Sequence, residues 1–249
     1  MIGLVDSDIL LYRAGFATEK VRKVTDENGT EHLRDVQPVN FAYHNIDTVV
    51  DSLREKFDKL EFYLTGSGNF RHQIASIQGY KANRSAFSKP FHYEALREYL
   101  VRKYEAKIVD GIEADDALGI RQTDRSGDKT CIISTDKDLD MIDGLHFNWV
   151  KGLKYYVGYE EGLRNFYKQC LTGDRVDNIP GIRGVGPVTA EKIIGRLSHE
   201  PSMYGAVRRT WAEHYPRGYE GRRIDSVIEE VAQLLWIQRT GRIKWSKPV

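Results

Sequence analysis

Cysteine is scarce in this chain: of 249 residues only Cys131, in the apolar run CIIS, and Cys170, ahead of LTGD, are thiols. Two thiols 39 positions apart build no disulfide framework, and no Cys/His pattern has zinc spacing. A disulfide-stapled secreted fold is therefore excluded, and both thiols are expected to be buried in a reducing compartment. Long apolar runs are absent as well. No stretch reaches the ~18 apolar residues of a membrane span, and the N-terminal MIGLVDSDILLY has no basic lead and two aspartates inside its apolar stretch. A signal peptide is not expected, and cytoplasmic residence is. The chain also lacks internal repeats, low-complexity tracts and long Pro/Gly/Ser linkers. With 41% hydrophobic residues it is ordinary for a globular protein, long enough for one large domain or two small ones.

Excess charge is missing overall, at a net +1, but the balance conceals segregation. Residues 71–107 hold eight Lys/Arg against three Asp/Glu, and residues 170–249 hold thirteen against nine, so the rest of the chain is strongly acidic. A basic surplus alone is usually a solvated helix face. Basic segments flanking an acidic half also fit the needs of a nuclease, in which Lys/Arg grip phosphate and carboxylates hold metal ions.

Ten carboxylates crowd a few short stretches: Asp6 and Asp8 in VDSD; Glu113, Asp115 and Asp116 in EADD; Asp136, Asp138 and Asp140 in STDKDLD; Asp174 and Asp177 in GDRVDN. One or two acids at a helix start need only the helix dipole as explanation. So many at strand ends need more, because two like charges about 4 Å apart cost about 4 kcal/mol at an effective dielectric near 20. An all-oxygen set points to Mg²⁺ or Mn²⁺.

Apolar segments at MIGLVD, LEFYLT, AKIVD and KTCIIST read as strands, followed by an antiparallel pair, HFNWV and KYYVGY. Residues 20–36 read as a hairpin turning at Asn28-Gly29. Helices are expected from Val39 to Lys59, from Ala114 and after Asp138; from about Glu160 the pattern is helical, through EEGLRNFYKQCL, VTAEKIIGRL, Met203–His214 and IDSVIEEVAQLLWIQR. Strands alternating with helices predict an α/β fold with a mostly parallel sheet, whose sites lie at the carboxyl ends of the strands.

GIRGVGPVTAEKII adds a helix end, a tight turn over Gly181–Gly186 and a new helix opened by Pro187. This is a helix-hairpin-helix, which offers backbone N–H groups to a nucleic-acid phosphate; Gly184 and Gly186 are expected to use positive φ. The segment GYKANRSAFSKPFHY (79–93) combines Tyr80, Lys81, Arg84 and Lys89 with Phe87, Phe91 and Tyr93, which fits phosphate contact and base stacking or an ordinary exposed loop. His72 and His92 are expected to face phosphate or solvent.

The combination VDxxxLxYR, YKANR, EADD, STDKDxD and LxGDxxDNIPGIxGVGPxTAEKI resembles the 5′ nuclease superfamily of flap endonucleases and 5′→3′ exonucleases, and looks most like the stand-alone enzymes of bacteriophages. The resemblance runs from Ile2 to Trp236. It implies a PIN-like α/β core over 1–160 with a helical arch or clamp at about 71–105, and a helix-three-turn-helix subdomain over 161–249 that binds duplex through backbone amides and a K⁺ ion. It implies two divalent ions: Asp6, Glu113, Asp115 and Asp116 at the first, Asp136, Asp138, Asp174 and Asp177 at the second. Lys81 and Arg84 would contact the scissile phosphate, with Tyr80, Lys89, Arg183, Gly184, Gly186, Thr189 and Lys192 as further DNA contacts. One position departs from the pattern. Where the family usually has an aspartate at the end of the second core strand, this chain has Thr65 and Ser67, while Asp8 is additional and either compensates or caps the first helix.

The expected activity is metal-dependent 5′→3′ exonucleolytic and flap-endonucleolytic hydrolysis of DNA at 5′ ends, nicks or flaps, with RNA–DNA hybrid as a further substrate, by a monomer in the cytoplasm, that of a host if a phage encodes it. A catalytically weakened structure-specific DNA-binding protein is one alternative, separated by cleavage of a labelled flap. A PIN-type ribonuclease is another, and it would not need the helix-hairpin-helix.

Overall fold

In a computed structural model, residues 1–26, 29–84, 89–124 and 126–248 are described, with 21–26 and 29–34 by backbone alone. The sheet contains β1 (Ile2–Asp6), β4 (Lys59–Thr65), β5 (Lys107–Val109), β6 (Thr130–Ile133), β7 (Gly144–Asn148) and β8 (Leu153–Val157), in the order β5-β4-β1-β6-β7-β8. All neighbours are parallel except β7 and β8. A separate antiparallel ribbon joins β2 (Glu19–Asp26) and β3 (Gly29–Val36). Gly29 pairs with Asp26 inside the ribbon rather than sitting in its turn, and Asn28 lies outside the described residues.

The period of two along the central strands sorts their side chains onto opposite faces. Leu4 and Ile132 join one buried cluster, and Val5, Cys131 and Ile133 join the other. The second cluster is covered by α1 (Ser7–Phe16), α2 (Val39–Arg54) and α4 (Tyr93–Tyr104). Helix α2 buries Ala42, Ile46, Val50 and Leu53, a helical spacing that makes one apolar stripe. It stops at Arg54, short of the expected Lys59, because Lys59 already begins β4. The opposite face carries α5 (Ala114–Thr123), α6 (Tyr159–Thr172), α7 (Pro187–Ile194), α8 (Glu200–His214) and α9 (Ile224–Leu235), and one apolar cluster runs from Leu4 to Trp211 and Trp236 without a break near residue 160. The α/β class, the parallel sheet and the C-terminal helices are as the sequence pattern requires, and both thiols are buried. Among the described residues no helix is long and apolar enough to cross a membrane.

One helical expectation is corrected. The helix after Asp138 is a single 3-10 turn, Asp138–Met141, because Gly144 starts the next strand. Within the 71–105 segment, α3 is four residues, Arg71–Ile74, and α4 buries Leu96, Leu100 and Tyr104 before ending at Glu105 in the left-handed region. Among the described residues between Ala75 and His92 there is no helix, and residues 85–88 of the expected arch lie outside the described residues.

One ion pair fastens three distant segments. Arg71, on α3, is buried and donates to Asp116 Oδ2 at 2.6 Å and Oδ1 at 2.9 Å, and to the carbonyls of Leu234 (2.8 Å) and Trp236 (2.7 Å) at the end of α9. Asp116, fully buried on α5, also accepts the N–H groups of Glu113 (3.1 Å) and Gln238 (3.0 Å). Removing one member leaves the other charge buried and unpaired. Asp116→Ala is expected to destabilise the fold by about 3–5 kcal/mol, read as a lowered urea midpoint, with Arg71→Met at least as damaging.

Candidate metal and nucleic-acid site

Asp6 ends β1, Thr65 ends the neighbouring β4, and Ser134-Thr135-Asp136 follows β6 on the other side, so the parallel sheet brings their side chains to one edge. Asp6 is almost fully buried. It caps α1 by accepting the Ile9 N–H at 3.1 Å and accepts the Ser134 hydroxyl at 2.7 Å. Burial, followed by the charge of Asp8, raises its pKa to about 7. Asp115 is pushed well above the carboxylate range by burial and then by Asp6, Asp136 and Glu113. Asp136 is raised by burial and by Asp174 and Asp177, and Asp138 reaches about 7 through burial and the charges of Asp136 and Asp174. Asp136 thus feels both groups of acids and lies electrostatically between them.

Cationic side chains approach from the YKANR segment. Lys81 pairs with Glu113 and lies 3.4 Å from Asp177, while Arg84 meets Asp177 at 2.8 Å. The segment is pinned to the GDRVDN loop through the backbone as well: the Lys81 N–H donates to the Asp177 carbonyl (2.9 Å), Asn178 Nδ2 to Gly79 O (2.8 Å), Gln78 Nε2 to Asn178 O (2.8 Å) and Asn83 Nδ2 to Arg175 O (2.7 Å). Lys81 and Asn178 both have positive φ, so the two loops turn sharply where they meet. Asp174 holds its own loop by accepting the Val176 N–H at 2.7 Å. Among the described residues no three acids converge closely enough to form a ready ion cage.

Several residues expected at the site are redirected. Asp116 does not join the first group, because all four of its hydrogen bonds go to Arg71, Glu113 N–H and Gln238 N–H. Asp140 is turned away and accepts the Tyr155 hydroxyl at 2.7 Å. Tyr80 is not a stacking surface: it is 4% exposed, and its hydroxyl lies 2.9 Å from Glu113 and 2.8 Å from Asp177, bridging the two acid groups. Lys89 rests over the Tyr93 ring at 4.1 Å, Phe91 is exposed, and Phe87 lies outside the described residues. His92 contacts the Gln37 carbonyl, and His72 meets Tyr80 edge-on.

The departure at Thr65 has a local explanation. The Ala114 N–H donates to Thr65 Oγ1 at 2.9 Å, so the hydroxyl proton is free to go to Asp8, which also accepts the Thr65 N–H at 3.0 Å. Asp6, not Asp8, is the cap of α1. The extra carboxylate on α1 therefore occupies the mouth of β4, within electrostatic reach of Asp6 and Glu113. Arg71 and Gln169 were not foreseen. The Gln169 amide donates to Asp138, leaving Gln169 Oε1 buried without a partner among the described residues. That orphan acceptor, together with four buried or half-buried oxygen-donor acids of raised pKa, suits hard divalent ions carrying water.

In the hairpin, Gly184 has φ +85 with nothing near a would-be Cβ. Gly186 is different from expectation: its φ is −97, an extended N-cap to α7, whose first residue is Pro187. Val188 and Thr189 are exposed, as are Arg183 and Lys192, so the opening turn of α7 faces solvent beside basic side chains.

A parallel α/β sheet with acids at its carboxyl edge and a helix-hairpin-helix beside it defines a metal-binding nuclease architecture. Residues 1–155 match the family model described as the 5′-3′ exonuclease N-terminal resolvase-like domain, and the chain belongs to that family. It is 24% identical over 226 residues to a 5′-3′ exonuclease of Buchnera aphidicola, covering 83% of this chain and 74% of that protein. It is 29% identical over 205 residues to the thermostable DNA polymerase I of Thermus aquaticus, covering 77% of this chain but only 23% of the polymerase. Among solved structures, a bacteriophage T5 flap endonuclease pseudo-enzyme–product complex with DNA and metal ions has TM-score 0.54 at 16% identity, covering 94% and 98% of the two chains. That likeness establishes the fold.

Two outcomes are expected. Asp6 and Asp138 have folded pKa values near 7 against an ordinary 3.8, so their protonation favours the metal-free fold at low pH and is lost as pH rises through 7. In EDTA the melting temperature should fall from pH 5 to pH 8, and Mn²⁺ should restore more stability at pH 8 than at pH 5. In the hairpin, Gly184→Val should weaken nicked-duplex binding more than Gly186→Ala, since only Gly184 needs left-handed backbone; binding isotherms with circular dichroism on both variants decide it.

Proposed function

We propose that the protein is a metal-dependent 5′→3′ exonuclease and structure-specific flap endonuclease acting on duplex DNA with a 5′ end, nick or flap. The observation that carries this reading is the cluster of acids formed by buried Asp6 and half-buried Asp115, Asp136 and Asp138, facing Lys81 and Arg84 on a segment pinned to the helix-hairpin-helix loop. Asp6, Glu113 and Asp115 would hold one Mg²⁺ or Mn²⁺, with Asp8 beside them; Asp136, Asp138, Asp174 and Asp177 would hold a second. Bound ions of this kind lower the pKa of an attacking water and offset charge on the attacking and leaving oxygens of an in-line displacement.

The chain's own groups do the rest. The Gly184 turn and the opening amides of α7 grip the duplex backbone, assisted by Arg183, Thr189 and Lys192, and the hairpin would hold a K⁺ ion to offset phosphate charge there. Lys81 and Arg84 draw the scissile phosphate towards the acids, exchanging their partners Glu113 and Asp177 for phosphate oxygens. Hydrolysis leaves a 5′-phosphate and a 3′-hydroxyl. RNA–DNA hybrid fits the same backbone grip, and a monomer suffices, because every residue named belongs to one chain.

A 5′-labelled flap or nicked duplex should be cleaved in Mg²⁺ or Mn²⁺ and spared in EDTA. Asp136→Ala should abolish cleavage while the variant still binds the duplex. Lys81→Ala should lower the single-turnover rate by a larger factor than affinity, because a cation at the scissile phosphate acts most where transition-state charge develops. Tight binding by the parent without cleavage would favour a DNA-binding protein that has lost its chemistry, and cleavage confined to single-stranded RNA would favour a ribonuclease.

A further inference from the structure

Between α8 and α9 lies a short segment, Pro216–Arg223, with three arginines and one acid, Glu220. An antiparallel bridge pairs Tyr219 with Arg222, and the two residues between them, Glu220 (φ +47) and Gly221 (φ +77), are left-handed, which makes a tight turn. The turn stands on a rigid base. Trp211, Tyr215 and Tyr219 form a mutually packed aromatic trio with ring centroids 4.9–5.5 Å apart, and the fully buried Trp211 donates its indole N–H to the Cys170 carbonyl of α6 at 3.0 Å.

The same trio reaches the helix-hairpin-helix. The Tyr215 hydroxyl accepts the backbone N–H of Arg183, inside the Gly181–Gly186 turn, at 3.1 Å. Tyr215 immediately precedes the arginine turn, so the turn and the hairpin share one support. Around it is a surface cleft of about 380 Å³. Of the arginines lining that cleft, Arg208 is paired with Asp225 (2.7 Å), and Arg222 is spent on the Ser76 hydroxyl and carbonyl (2.9 and 2.8 Å). Arg217 and Arg223 are exposed, and their guanidinium groups make no hydrogen bond or ion pair among the described residues, Arg223 only helping from a distance to hold the Asp225 carboxyl below its ordinary range, behind Arg208.

Two unpaired guanidinium groups on a rigid turn, mechanically joined to a hairpin that binds backbone phosphate, have the layout of a second phosphate contact. We propose that Arg217 and Arg223 grip the phosphate backbone of the same duplex held by the hairpin, extending the footprint along it. The proposal rests on the duplex-binding reading above. Arginine suits this role because its planar fork donates to two phosphate oxygens at once, and the contact is independent of sequence.

The test is equilibrium binding of the full chain to nicked duplexes with short and long arms across a salt series, comparing the parent, Arg217→Ala/Arg223→Ala, Arg217→Lys/Arg223→Lys and Arg208→Ala. Each phosphate contact contributes about 0.9 to the slope of log affinity against log salt. The double alanine variant should lose affinity severalfold on long arms, lose less on short ones, and have a salt slope shallower by about 2. The lysine variant should recover most of the slope, and Arg208→Ala, whose guanidinium is already paired, should stay near the parent. Overlaid isotherms and equal slopes for the parent and the folded double alanine variant would overturn the proposal, and would leave an acidic protein as the natural occupant of the turn. Failure of the parent itself to bind duplex would overturn the duplex-binding reading as well, which separates the two.

Discussion

The buried pair of Arg71 and Asp116 is the constraint on which the site depends. Each ion loses its hydration, a cost of several kcal/mol per ion, and the loss is offset by partners on both sides: four of the five guanidinium N–H groups donate, two to Asp116 and two to carbonyls of the α9 terminus, with Glu113 3.5 Å from Nη1, and Asp116 also accepts two backbone N–H groups. The geometry permits little slack. It holds the first turn of α5, which carries Glu113 and Asp115, against the start of α3, which leads into the Lys81 segment, and it ties both to the last helix of the chain.

With α5 held in this way, the remaining acids meet at the sheet edge and repel one another. Burial and mutual charge raise Asp6, Asp115, Asp136 and Asp138 above the ordinary range, a strain that a proton or a cation can relieve. Lys81 and Arg84 relieve part of it at Glu113 and Asp177. The reciprocal bonds between Gln78, Gly79 and Asn178 mean that these cations cannot shift independently of the loop that leads into the hairpin. The hairpin, proposed to bind a phosphate backbone, and the arrangement of charge at the acids are therefore mechanically joined.

Thr65 illustrates how a site can keep its charge while moving it. Its hydroxyl accepts from Ala114 and serves Asp8, so the end of β4 still presents a carboxylate, supplied from α1 across the strand. Tyr80 has a comparable role. A segment that reads as a surface loop sends its ring inward, and the phenol ties Glu113 to Asp177.

By itself the sequence determined the α/β class, the parallel core strands, the acids at their ends and the hairpin before α7, because these follow from local periodicity, glycine and proline chemistry and the clustering of like charge. It also carried the family likeness through contiguous strings such as YKANR and GVGPVTAEKI. Which acid faces the site was decided only by tertiary structure. Asp115 and Asp116 are neighbours in one helical turn, about 100° apart around the axis, and only the presence of Arg71, forty-five positions away, selects Asp116 for the interior. Similarly, the 71–105 segment is basic enough to suggest an exposed clamp, but Leu96, Leu100 and Tyr104 are drawn onto the sheet by a surface whose existence depends on strands elsewhere in the chain. Charge and period are local properties; the partner that buries a charge is not.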